Sequence, residues 1–75
     1  MTKGIEVADV QAKFGERLRE IRTRKGLSQE GLAAAAGLHR TYISSVERGE
    51  RNVTITTIAK LAAALGVSMT DLIPG

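Results

Sequence analysis

The stretch Gln29–Arg48, QEGLAAAAGLHRTYISSVER, decides the fold. It reads as two short helices joined by a tight turn. Ser28 is placed to cap the first, and Leu32, Ala33 and Ala36 fall on its inward face. Gly37, four residues after Ala33, suits the turn because glycine tolerates a positive φ. The second helix starts near His39 or Arg40 and runs to Arg48, with Ile43 and Val46 inward and Gly49 as terminator. Ala33 is small, as expected where two helices cross steeply and their backbones come close. Pinning the second helix by Ile43 and Val46 leaves its opposite face free. That face offers Arg40, Thr41, Ser44, Ser45 and Arg48, a polar, cationic and mostly short-chained surface.

Outward from this pair, the periodicity predicts more helix on both sides. Val7, Val10, Phe14, Leu18 and Ile21 recur at three- and four-residue steps, so a first helix is expected, capped by Asp9 and stopped by Gly26. Beyond a polar loop, Glu50–Val53, Thr54 is expected to cap a fourth helix with Ile55, Ile58, Leu61, Ala62 and Leu65 as its buried stripe, closed by Gly66. Ser68 and Asp71 have the spacing of a capping box for a last turn, Met69–Ile73, which Pro74 ends. Val53–Ile58 is β-branched, but its Thr cap and its run into KLAAAL favour helix. The expectation is an all-α domain of five short helices over residues 6–75, preceded by a flexible N-terminus, residues 1–5.

Composition narrows the function classes. The 75 residues hold 11 Lys and Arg against 8 Asp and Glu, a net charge of +3. A basic balance favours phosphate-bearing partners. The charge is uneven: Arg17, Arg19, Arg22, Arg24 and Lys25 crowd one segment and Arg40, Arg48 and Arg51 another, whereas from Ile55 onward only Lys60 and Asp71 are charged. One Tyr and one Phe are too few for base-stacking platforms of the kind that bind single strands. With no Cys and one His, a thiolate metal site is excluded and no metal or cofactor is expected. No carboxylate spacing suggests acid–base chemistry, and no base is placed near Ser44 or Ser45, so a non-catalytic protein is expected. Met1–Lys13 lacks the layout of a signal peptide and no apolar run reaches membrane-spanning length, so a cytoplasmic location is expected.

On LREIRTRKGLSQEGLAAAAGL, YISSVERGERN and IAKLAAALGVSMTDLI, residues 14–73 resemble the Cro/phage-repressor (xenobiotic-response-element type) helix-turn-helix family. Within it, HRTYISSVERGERNVTI is most similar to the controller proteins of restriction–modification systems. The resemblance implies a lambda-repressor-like domain, with helices 2 and 3 as the helix-turn-helix. It also implies a transcriptional regulator that binds double-stranded operator DNA in the major groove, upstream of its own gene and an endonuclease gene.

Carried over residue by residue, the base-reading positions fall on Arg40, Thr41, Ser44 and Ser45. Of these, Arg40 is the choice for a bidentate contact to guanine, worth roughly 1–3 kcal/mol of discrimination. Phosphate-clamping positions fall on Gln29, Arg48, Arg51 and Asn52, which set register without reading sequence. Arg22 has two readings, DNA contact or a brace to Glu47, and the resemblance favours the brace. Tyr42 is left open between packing at the domain edge and donating its hydroxyl to a phosphate. His39 is expected to cap or to face solvent, and Arg19, Arg24 and Lys25 to form a solvated face.

Met69, Leu72 and Ile73 are expected at a homodimer interface. Two-fold symmetry there would set recognition helices about 34 Å apart on an inverted repeat. RNA polymerase is a further expected partner, through the exposed acid Glu30. The competing readings are a phage-type repressor or antitoxin and, in another class, an interaction module that does not bind DNA.

Overall fold

The computed structural model describes residues 6–74, in five helices: α1 (Val7–Arg24), α2 (Gln29–Ala36), α3 (Arg40–Glu47), α4 (Ile55–Leu65) and α5 (Met69–Leu72). No strand occurs among the described residues. The expected flexible segment, residues 1–5, lies outside the described residues, as does Gly75.

Local chemistry sets most of the boundaries. The Ser28 hydroxyl accepts the Gly31 N–H at 2.9 Å at the start of α2. Thr54 accepts the Thr57 N–H at 3.2 Å at the start of α4. The Ser68 N–H donates to the Asp71 carboxylate at 3.0 Å, the reach-back half of the expected box. Gly37 ends α2 with φ 69°, where a side chain would be strained. Asp9 is not the cap of α1. The helix begins two residues earlier, after Glu6, and Asp9 lies in its first turn, where its charge complements the unpaired N–H groups. His39 holds the cap position of α3 but makes no side-chain cap bond and faces solvent.

Helices α1 to α4 close around one core, to which α5 adds a single residue. Leu18, Leu32, Ile43, Val46, Leu61 and Leu72 are fully buried, with Phe14, Ile21, Ala33, Ile58, Ala62 and Leu65 around them. Three residues of the expected stripes stay outside. Val7 and Val10 are exposed because α1, about 27 Å long, overruns the core at its N-terminal end. Ile55 is 75% exposed at the first position of α4, before that helix meets its neighbours, and Val53 packs against the core instead.

At the C-terminal end the expected interface is corrected. Leu72 is 0% exposed within its own chain, because it closes the core under α4 and α5, so it has no surface to offer a partner. Met69 is half-buried against the same core, and only Ile73 is well exposed. The Arg17 Nε donates to the Asp71 carbonyl at 2.8 Å and ties this end to α1.

One close helix approach involves a residue the sequence pattern did not single out. Gly15 of α1 is buried against the end of α3. A Cβ there would stand 2.7 Å from the Glu47 carbonyl oxygen and closer still to that of Val46. In an open helix, Gly→Ala stabilises by up to about 1 kcal/mol. Here the sign should reverse, and Gly15→Ala should lower the unfolding free energy by about 1–3 kcal/mol in urea denaturation. A variant as stable as the parent would show that α1 and α3 do not meet on main-chain atoms.

Candidate nucleic-acid interface

Burying Ile43 and Val46 fixes which face of α3 points outward. Its rotation and tilt are fixed by polar groups. The Arg22 Nε donates to Glu47 Oε2 at 2.6 Å and its Nη2 to Oε1 at 3.0 Å, a two-pronged pair between α1 and α3. The remaining Nη1 donates to the Leu27 carbonyl at 2.7 Å, in the loop before α2. Gln29 Nε2 donates to the same Glu47 Oε1 at 3.0 Å. One carboxylate thus joins α1, the start of α2 and the end of α3. Side-chain exposure is only 10% for Arg22 and 4% for Glu47. The hydrogen bond to Glu47 raises the Arg22 guanidinium above its usual pKa, with burial working against it. The Arg22 guanidinium is thus turned inward onto Glu47 and Leu27, and Gln29, expected on the phosphate clamp, has one side-chain N–H committed to the same carboxylate.

On the outward face, Arg40 and Thr41 are exposed at the first turn of α3, and Arg40 makes no ion pair with any described residue. Ser44 and Ser45 are half-buried. The Ser45 hydroxyl donates to the Thr41 carbonyl at 2.9 Å, which occupies its only proton. The Ser44 hydroxyl accepts from Arg48 Nη1. The four expected base readers therefore split into two free side chains and two that are engaged.

Arg48, Arg51 and Asn52 are exposed around the end of α3. The Arg51 guanidinium carbon stands 5.7 Å from the Tyr42 ring centroid, and Tyr42 is half-buried against the core, so the ring serves as a platform for a cation. Arg24 pairs with Glu20 at 3.5 Å on the solvent side of α1, and Arg19 and Lys25 are exposed beside it. Glu50, read in the sequence only as part of a polar loop, forms a two-pronged pair with Arg48. The Arg-Gly-Glu spacing was the signal for it: a left-handed glycine folds the second residue back towards the first. Among the described residues no cluster of His, Asp or Glu is arranged to hold a metal ion, and no helix is long and apolar enough to cross a membrane.

Comparison with known proteins places the same frame elsewhere. A family described as helix-turn-helix matches residues 18–72. Control protein C.BamHI of Bacillus amyloliquefaciens is 48% identical over 66 residues, covering 87% of this chain and 82% of its own. The crystal structure of the restriction–modification controller protein C.AhdI from Aeromonas hydrophila superposes with a TM-score of 0.83 at 56% identity, covering 88% of this chain and 98% of that one. The controller protein C.Esp1396I, solved as a tetramer in complex with its natural 35 base-pair operator, superposes with a TM-score of 0.75 at 41% identity, covering 79% of this chain and 78% of that one.

Removing the charge of Glu47 while keeping its shape isolates the brace. Glu47→Gln leaves the Arg22 charge without its counter-ion and should cost about 3 kcal/mol, the low end for a buried pair because a domain this small keeps its interior near water. Chemical denaturation reads this directly. A loss below about 1 kcal/mol would show that the apolar contacts alone orient α3.

Proposed function

Since this chain belongs to the helix-turn-helix family, we propose that it is a sequence-specific DNA-binding transcriptional regulator of the restriction–modification controller type, acting as a cytoplasmic homodimer on inverted-repeat operator DNA. The observation that carries the reading is the orientation of α3. It is held from behind by Arg22, Glu47 and Gln29, and it presents Arg40 and Thr41 clear of the body. The second helix of a helix-turn-helix lies in the major groove with its first residues at the base edges, and here those residues are unobstructed. Arg40 has the reach and the donor pair for guanine, and Thr41 the short hydroxyl and methyl for a neighbouring base. Arg48, Arg51 and Asn52 flank the helix end where the phosphate backbone would run, and these contacts set register. No chemistry is assigned to the two serines, whose hydroxyls are tied to Arg48 and to the helix backbone.

The tetramer of C.Esp1396I and the apolar surface of this chain support the dimer. With Leu72 inside the core, the exposed large apolar residues among those described are Val7, Val10, Ile55 and Ile73, and of these Val10 and Ile73 line one groove together with Pro74. We assign the partner contact to this end of the molecule and to Ile73 in particular.

Two expected outcomes test the reading. Arg40→Ala should weaken operator binding by about tenfold or more while changing random duplex little, whereas Arg48→Ala should weaken both alike; competition gel shifts compare them. Equal losses in the two variants would contradict the division of roles, and no duplex binding even at low salt would favour a protein-interaction module. Ile73→Glu should convert the dimer to monomer in analytical ultracentrifugation with helix content intact. A dimer that persists in this variant would move the interface elsewhere.

A further inference from the structure

The cation expected to grip a phosphate is already gripped. Arg48 Nε and Nη2 each lie 3.1 Å from one oxygen of the Glu50 carboxylate, and Nη1 donates to the Ser44 hydroxyl. The guanidinium thus spends both prongs on an O–C–O edge, as it would on the O–P–O edge of a phosphate. The backbone builds this arrangement. Arg48 caps α3, and Gly49 takes φ 78°, turning the chain back. The Glu50 N–H then closes onto the Ser45 carbonyl at 3.0 Å. A Cβ at Gly49 would come within 2.9 Å of the Ala12 Cα, so the turn is also wedged against α1 and Glu50 is held beside Arg48.

The pair is nevertheless easy to open. Side-chain exposure is 55% for Arg48 and 57% for Glu50, so water can replace either partner. Arg48 holds the Glu50 carboxyl below the usual carboxylate range, chiefly by hydrogen bonding, which keeps the competitor charged. The other cation near Glu50, Arg51, is turned onto the Tyr42 ring.

We propose that Glu50 is a built-in phosphate mimic that occupies Arg48 in the free protein and must be displaced before Arg48 clamps DNA. The proposal rests on the reading of Arg48 as a phosphate contact. Displacement would free Nε and Nη2 of Arg48, while Nη1 can keep its bond to the Ser44 hydroxyl. The competitor lowers affinity for any duplex, because every duplex offers the same phosphate. It thereby limits how much of the protein is held on non-operator sequence.

The test is a double-mutant cycle on binding, with operator and random duplexes at fixed salt. Glu50→Gln keeps the size of the side chain and removes its charge. It should tighten binding to both duplexes by roughly threefold to tenfold, the scale of one close charge pair in a wet environment. In an Arg48→Gln background the same change should have almost no effect, because nothing is left to release. If Glu50→Gln tightens binding equally in both backgrounds, Glu50 acts only through the general field and the proposal fails. It fails too if Glu50→Gln changes nothing while Arg48→Gln weakens binding. If Arg48→Gln itself leaves binding unchanged, the phosphate role of Arg48 is wrong and the mimic falls with it. Unchanged thermal midpoints in the single variants exclude loss of fold as the cause.

Discussion

The Glu47 carboxylate takes three side-chain N–H groups, two from Arg22 and one from Gln29, and all three arrive from outside α3. An apolar cluster of the same volume could match its contribution to stability, since desolvating two charges offsets most of their attraction. It could not match the geometry. Ile43 and Val46 would tolerate small rotations of α3 because dispersion contacts are not directional. A forked guanidinium on a carboxylate is directional, and a few degrees of rotation at one end of a short helix displaces the residues at the other end. The pair converts a packed helix into an aimed one.

Everything behind the helix serves that aim within a very small interior. Among the described residues twelve buried apolar side chains make the core, and one of them, Leu72, comes from a four-residue helix. The C-terminal turn gains its hold from Leu72 beneath, the Asp71 carboxylate on its own first N–H, and Arg17 on its backbone. Ile73 therefore projects from a fixed point on the domain. The intervening core sets it at a defined distance from α3.

Much of this was legible in the sequence, and the omissions have physical causes. Caps and turns were readable because Ser28, Thr54, Gly37 and Gly66 act on neighbours within four residues. The hydrophobic stripes identified the helices but not where their contacts end. Val7, Val10 and Ile55 share the periodicity of the core and lie beyond it, since periodicity reports a face and not a neighbour. Leu72 failed in the opposite direction: apolar residues near a chain end look like spare surface until the packing shows one of them filling the core. The brace between Arg22 and Glu47, 25 residues apart, came from family resemblance and not from pattern. The Gln29 contribution to that brace and the Glu50 pairing were not read at all, because a polar side chain in a sequence does not declare its partner. For Glu50 the information was present in the Arg-Gly-Glu step.

Gly15 has a consequence for how such a protein diversifies. At Gly15 the nearest atoms of α3 belong to the main chain of Val46 and Glu47. Main-chain atoms are the same whatever residues the helix carries. The outer face of α3 can therefore be rewritten, one side chain at a time, without renegotiating the junction that positions it. A lineage built on this frame can change the message it recognises while inheriting the reader unchanged.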